Sequence, residues 1–249
     1  MENKKLLNFF GYLFGVMVLL FIITQTVIFA SFFMPFFEWQ FERPRYYRPF
    51  NGSNAVETIG IEKDELMRVT TELLDYMRGR RDTLDGIQAV VMGENREFFS
   101  DLEKRHMVDV RVLYDWVFAI RAISAAFVLG VIFYLLAIKR KLFPGANANV
   151  LAEKALRATR HVIIGFLSIA ALTTVVIATD FARAWDFFHV IFFNNDYWIL
   201  TSRVDLMIDM VSLSFFLHIS IMIGAIILVA GVAVIVLSTF FLKHIGDKK

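Results

Sequence analysis

The chain contains no cysteine, so no disulfide can staple it and the residue that would report its redox compartment is missing. Proline is scarce: there are four, three of them (Pro35, Pro44, Pro49) in one stretch and the last in a Pro144-Gly145 pair. Long segments can therefore run as helix without a break. An excess of one charge is also absent, since 26 Lys and Arg nearly balance 24 Asp and Glu, and a net +2 gives no reason to invoke nucleic acid. No Walker loop, GxGxxG, GxSxG, CxxC or HExxH pattern occurs, and neither an internal repeat nor a low-complexity tract is present. Phosphate-cradling loops, a serine nucleophile elbow and a helical zinc motif thus lose their sequence support.

Apolar length is what the chain has in quantity. With 57% hydrophobic residues and a mean hydropathy of +0.59, it is too apolar for an ordinary soluble domain. Leu6–Phe37, Val162–Thr179 and Met210–Leu242 carry no charge, and Val117–Ile138 is interrupted only by Arg121. About 18 residues or more suffice for a helix to cross a hydrocarbon core of about 30 Å. Four spans are expected, at about 7–33, 117–138, 162–179 and 212–241. The first follows Lys4 and Lys5 but exceeds the apolar core of about 7–15 residues found in signal peptides, and is read as a retained span. Arg121, a turn inside the second span, is expected to snorkel or to neutralise Asp115.

Basic residues set orientation, because they concentrate on the cytoplasmic side. Lys4 and Lys5 precede the first run, Lys139, Arg140, Lys141, Lys154, Arg157 and Arg160 lie between the second and third, and Lys243, Lys248 and Lys249 follow the fourth. Only Glu2, Glu153 and Asp247 oppose them. Both termini are therefore expected in the cytoplasm, and residues 34–116 and 180–211 outside. In KLFPGANANVLAEKALRATR a Pro-Gly turn should precede an amphipathic basic helix lying on anionic lipid.

The larger outward segment opens with FFMPFFEWQFERPRYYRPFNGSN, whose Phe36, Phe37, Trp39, Tyr46 and Tyr47 suit an aromatic belt at the interface. Residues 61–76 read as a helix with Leu66, Val69, Leu73 and Tyr76 on one face. Alternation of Ile87, Ala89 and Val91 suggests a short strand or hairpin. No proline occurs between Glu97 and Lys141, so one helix is expected to begin outside and continue through the second span. The fold class predicted is an all-α membrane protein, with four transmembrane helices, an outward α-rich extramembrane domain and at most short β-strands. The chain is read as a single integral membrane domain, 1–249.

Two histidines fall on the outward side. Imidazole is the side chain whose ordinary pKa, about 6.5, lets it take and give protons near neutrality. His106 shares a helical face with Glu103 and Val110, and Asp109 lies three residues on, where a carboxylate can orient the ring. His189 lies in FHVIFFNNDYWIL, where Asn194, Asn195, Asp196 and Trp198 are interleaved with aromatics. Amide and indole donors in such apolar surroundings can stabilise an oxyanion; the alternative is an aromatic re-entrant loop whose polar residues cap turns. His161 and His244 fit span ends. His218 would complete a zinc triad with His106 and His189, but no tight ligand spacing favours one, and no metal or cofactor is expected. The residues leave open an outer-leaflet acyl hydrolase and a noncatalytic membrane sensor or accessory protein.

FSDLEKRHMVDVR and FHVIFFNNDYWILTSRVDLMID resemble, in this order and topology, the two signature blocks of the bacterial Lit family, the lipoprotein intramolecular transacylases. The resemblance implies an enzyme of the bacterial cytoplasmic membrane whose active site faces outward. It moves the sn-2 acyl chain of a diacylglyceryl-cysteine lipoprotein to the α-amino group of that cysteine, leaving the lyso form. It implies His106 and His189 as catalytic residues, with Asp109, Asn195, Asp196, Trp198 and Asp205 as supporting or oxyanion candidates. It implies no cofactor, and its partners would be diacylglyceryl-modified lipoproteins and membrane lipids, with the chain acting as a monomer. Val211 and Ser212 stand where family members often carry Pro-Glu.

Overall fold

A computed structural model describes residues 2–45, 52–135 and 148–246. In chain order these form α1 (Glu2–Ser31), α2 (Met34–Glu42), α3 (Ala55–Ile59), α4 (Lys63–Met77), β1 (Gln88–Val91), β2 (Glu94–Glu97), α5 (Asp101–Phe133), α6 (Ala148–Thr179), α7 (Phe181–Phe192), α8 (Leu206–Met210) and α9 (Leu213–Gly246). The fold class is the one predicted, with α1, α5, α6 and α9 long and apolar enough to cross a membrane. Many of their side chains find no protein partner: Ile169, Leu172, Val175 and Val176 are 66–72% exposed, which suits lipid and not water. Residues 101–116 of α5 include seven acidic and basic side chains, and the helix is free of acids only beyond Asp115. The chain divides into two compact units, the first comprising residues 1–28, 117–179 and 223–249, the second 29–116 and 180–222.

Within the first unit, small residues bring helices close. A Cβ added at Gly15 would come within 2.8 Å of the Thr159 Cα, and one at Gly11 within 3.1 Å of the Lys154 carbonyl oxygen. Gly11 and Gly15, one turn apart on α1, thus form a small-xxx-small seam against buried Ala155, Ala158 and Thr159 of α6. The separate amphipathic surface helix expected before the third span does not exist. Nothing between Ala148 and Thr179 breaks a helix, so the basic stretch simply continues into the apolar one as α6. The Pro144-Gly145 turn lies outside the described residues. Arg121 places its guanidinium 5.8 Å from the Phe118 ring, and no ion pair to Asp115 forms among the described residues.

The second unit has its own core. Phe36, Phe37 and Phe41 are buried, with Phe36 and Phe37 each against Phe215 at 5.2 and 5.0 Å between ring centroids. This corrects the interfacial belt: of the described residues assigned to it, Trp39 is exposed, while Phe36 and Phe37 are core residues. Tyr46 and Tyr47 fall outside the described residues. α3 begins in an Asn54–Glu57 capping box and ends at Gly60 in the left-handed region. α4 buries Leu66, Val69, Leu73 and Tyr76, the stripe its spacing predicts. β1 and β2 pair antiparallel through Met92-Gly93, both at positive φ as a two-residue hairpin turn requires, with Ala89 and Val91 inward.

Candidate active site

α5 starts where it does because Ser100 and Glu103 form a reciprocal box. The Ser100 hydroxyl accepts the Glu103 N–H at 3.2 Å, and the Glu103 carboxylate accepts the Ser100 N–H at 2.6 Å. Glu103 is fully buried and its other oxygen accepts the Met207 N–H, which ties the first turn of α5 to α8. The Ser100 hydroxyl in turn donates to Asp205 at 2.7 Å, and Asp205 also accepts the Thr201 N–H at 2.8 Å. Burial pushes the Glu103 carboxyl up to about 7, against the pull of the Ser100 and Met207 N–H groups. One further turn along α5 stands His106.

α7 starts just as definitely: Asp180 caps it by accepting the Arg183 N–H at 3.0 Å. His189 occupies its last turn. His106 and His189 are 7% and 5% exposed, and their ring centroids lie 5.9 Å apart. Aromatic rings enclose the pair. Phe193 lies 5.1 Å from His106 and 5.6 Å from His189, Trp198 stacks on His189 at 4.7 Å, and Trp185 meets the same imidazole edge-on at 4.7 Å.

The two imidazoles differ in their hydrogen bonds. Nδ1 of His189 lies 2.8 Å from the Trp185 carbonyl oxygen. A carbonyl only accepts, so Nδ1 carries the proton and the neutral ring keeps its lone pair on Nε2. Nδ1 of His106 is buried with no hydrogen-bond partner among the described residues. An orphaned N–H is the rarer and costlier arrangement, which places the His106 proton on Nε2. Burial lowers both pKa values. That of His106 falls to about 4 through burial and then the neighbouring His189, with Asp109 opposing. That of His189 is lowered by burial against the Trp185 hydrogen bond and Asp186. Both rings are therefore neutral at pH 7, one with a free lone pair and one with a free N–H.

The remaining predicted residues separate into distinct places. Among the described residues Asp109 makes no hydrogen bond to the His106 ring; it accepts the Asn195 side-chain N–H at 2.9 Å. The Asn195 carbonyl oxygen accepts the Tyr197 N–H at 3.1 Å, so this amide braces the turn that leads to Trp198. Asp196 is exposed, with its backbone carbonyl accepting from Ile199. Asp205 is buried in the Ser100 and Thr201 contacts described above. His218 stands against Trp39 at 5.6 Å, and no group of three metal-ligating side chains forms among the described residues.

Two buried carboxylates, Asp209 and Glu103, support the site in ways not expected from the sequence, although Glu103 was placed there on the His106 face. Asp209 is fully buried and accepts the Ser202 hydroxyl and the Arg203 N–H, both at 2.7 Å. Its backbone carbonyl accepts from the buried Arg45 guanidinium at 2.7 Å. These contacts hold Arg203 at φ +69, an unfavourable conformation for a non-glycine residue. Glu103 is the other, and the Ser100-x-x-Glu103 spacing would have marked it as a helix start.

The profile of a family described as lipoprotein intramolecular transacylase Lit matches residues 12–216. The fold is similar to a solved structure of the membrane integral lipoprotein intramolecular transacylase Lit from Bacillus cereus. That likeness has a TM-score of 0.69 and 18% identity, and covers 99% of this chain and 97% of the other. A form of the same Bacillus cereus protein with a histidine-to-alanine mutation matches with the same TM-score and identity, over 98% and 97% of the two chains. A histidine-to-arginine form matches with a TM-score of 0.66 and 18% identity over 100% and 99%. No curated protein sequence matches significantly.

Proposed function

We propose that this chain, which belongs to the lipoprotein intramolecular transacylase Lit family, runs its reaction on the His106–His189 pair. It is a multi-pass membrane transacylase. The acyl chain at the sn-2 position of a diacylglyceryl-cysteine passes to the α-amino group of the same cysteine. Nucleophile and ester belong to one molecule, so the site's principal task is to hold a reactive conformer.

The observation that carries the assignment is the unequal hydrogen bonding of the pair, with His189 Nδ1 against the Trp185 carbonyl and His106 Nδ1 without a partner among the described residues, from which complementary tautomers follow. His189 Nε2, with its lone pair free because Nδ1–H is engaged by the Trp185 carbonyl, takes the proton from the attacking amine. The ammonium form of an α-amino group has a pKa of about 7.7–8.0, so a usable fraction is neutral and nucleophilic near pH 7. Its N–H becomes acidic enough for an imidazole to remove as the nitrogen bonds to the carbonyl carbon. His106 Nε2–H donates to the ester carbonyl oxygen as negative charge develops there. A new N–C bond forms and the ester C–O bond breaks. The proton taken by His189 then passes to the departing glycerol oxygen, which returns both rings to their starting states.

The aromatic enclosure of Phe193, Trp185 and Trp198 favours amine over water as nucleophile, because little room is left for solvent. Asn195 and Asp109 act as positioning residues for the turn carrying Trp198. The surplus of basic residues at the N-terminus, between the second and third spans and at the C-terminus supports a cytoplasmic position for both termini and an outward site. Both imidazoles come from one chain, which supports a monomer as the working unit.

The test is co-expression of the protein, or of its His106→Ala and His189→Ala variants, with a reporter lipoprotein in a host lacking N-acylation. The N-terminal lipopeptide is then fragmented by tandem mass spectrometry. An N-acyl fragment with the wild type, lost in folded variants, is expected. An unchanged S-diacylglyceryl peptide, or loss of one acyl mass as in hydrolysis, would overturn the reading.

A further inference from the structure

α7 is apolar on two sides, and only one is used. Its inner side places Trp185, Phe188 and His189 in the site. On the far side Phe187, Val190 and Ile191, spaced three and four residues apart and so contiguous on the helix, are 65%, 66% and 58% exposed. Of the charged residues of the helix, Arg183 lies one turn before Phe187 on the same face, where its long stem can carry the guanidinium up to the headgroups, and Asp186 flanks the patch one turn before Val190; both are exposed. Large apolar side chains grouped on one face, at more than half exposure, are not what a helix presents to water.

What covers this face follows from the chain. α6 is an apolar span ending at Thr179, and α7 begins at Phe181, so Asp180 alone separates them. One residue spans at most about 3.6 Å. α7 therefore starts at the point where the chain leaves the hydrocarbon, and its partner is the lipid of that same leaflet.

We infer that α7 lies in the plane of the membrane interface, with Phe187, Val190 and Ile191 set among the acyl chains and His189 on the side turned to the protein. An interfacial helix sinks its apolar face about 5–10 Å into the headgroup–acyl boundary, roughly one helix radius to one diameter. This brings His189 to the depth of lipid ester groups. On the transacylase reading above, the acyl ester then meets its base without being lifted out of the leaflet.

The absence of cysteine makes a direct test clean. Single substitutions Phe187→Cys, Val190→Cys and Ile191→Cys in the full-length protein are spin-labelled and reconstituted in phosphatidylcholine–phosphatidylglycerol vesicles. Collision with oxygen is compared with collision with a water-soluble nickel chelate. Met92→Cys and Glu94→Cys, at the exposed hairpin turn, serve as aqueous references. Labels at 187, 190 and 191 should favour oxygen over nickel by several-fold relative to the references. Nickel accessibility equal to that at Met92 would overturn the inference, as would labels shielded from both agents, which would mean a protein cover such as a second copy. Because the readout needs no turnover, a failed transacylase assay with oxygen-favouring labels would leave this inference standing, and an active enzyme with aqueous labels would remove it alone.

Discussion

His106 and His189 are nearly equally buried, yet they are held by opposite means. His106 rides on a helix whose first turn is fixed by charge and hydrogen bonds, through Glu103, Ser100 and Asp205, while its own Nδ1 has no partner among the described residues. His189 sits on a helix with aromatic neighbours, and its Nδ1 is engaged by its own backbone at Trp185. A polar scaffold around a freely placed ring suits a donor that must follow charge onto a moving oxygen. A ring locked at Nδ1 suits a base, whose Nε2 must stay unprotonated and aimed.

The largest expected effect breaks this asymmetry by removing proton chemistry while keeping a donor. His189→Asn should reduce N-acylation by about 10²–10⁴, the range general acid–base catalysis supplies. His106→Asn, whose amide can still donate, should retain about tenfold more activity than His189→Asn. Initial rates of N-acyl lipopeptide formation by mass spectrometry check both. Equal losses would remove the distinction.

Next in size is the polar scaffold. Glu103→Ala leaves two buried N–H groups unpaired, each costing about 1–3 kcal/mol, and should lower the thermal midpoint in detergent. Glu103→Gln, with one acceptor oxygen remaining, should lose less. Loss of activity in Glu103→Gln at unchanged stability would show a chemical role for the carboxylate instead.

The aromatic side is tested by pH. Burial keeps the His189 pKa below the ordinary value near 6.5, so the base stays neutral on moderate acidification and the acid limb of the rate profile lies below that value. Trp198→Ala opens the ring to water, raises its pKa toward 6.5 and should move the acid limb to higher pH, with only a modest change in the plateau rate. The contribution of His106 to native stability should fall with acidification, opposed over much of the same range by Glu103, whose folded carboxyl near 7 takes up a proton before the unfolded one does. The unfolded chain binds protons at these imidazoles near pH 6.5, whereas folded His106 resists protonation until about 4. The smallest effect is expected for exposed Asp196: Asp196→Ala should stay within about twofold of the wild-type rate.

Legibility followed the range of the forces involved. The four long apolar helices were readable because crossing hydrocarbon needs only length and lack of charge, and the β1–β2 hairpin because alternation is local. α6 was misread because the change from basic to apolar composition looked like a boundary, although no residue there stops a helix. α7 was taken as loop, since its aromatic composition drew attention away from the Asp180 cap and a proline-free run of helical length. Phe36 and Phe37 looked interfacial for want of any sign of Phe215. The carboxylates teach most: Asp205 and Asp209 serve donors in the 201–203 turn, a partnership visible only once the turn is folded. The tautomers of the two histidines depended on the Trp185 carbonyl and on the lack of a partner for His106, neither of which is encoded in spacing.

The central claim is that two neutral imidazoles hold complementary protons. ¹⁵N NMR of the full-length protein labelled at histidine, assigned with His106→Gln and His189→Gln variants and recorded near pH 7, reads this directly. The account predicts a pyridine-like Nε2 and a protonated Nδ1 for His189, with the reverse for His106. A cationic ring at either position, or a protonated Nε2 on His189, would contradict it.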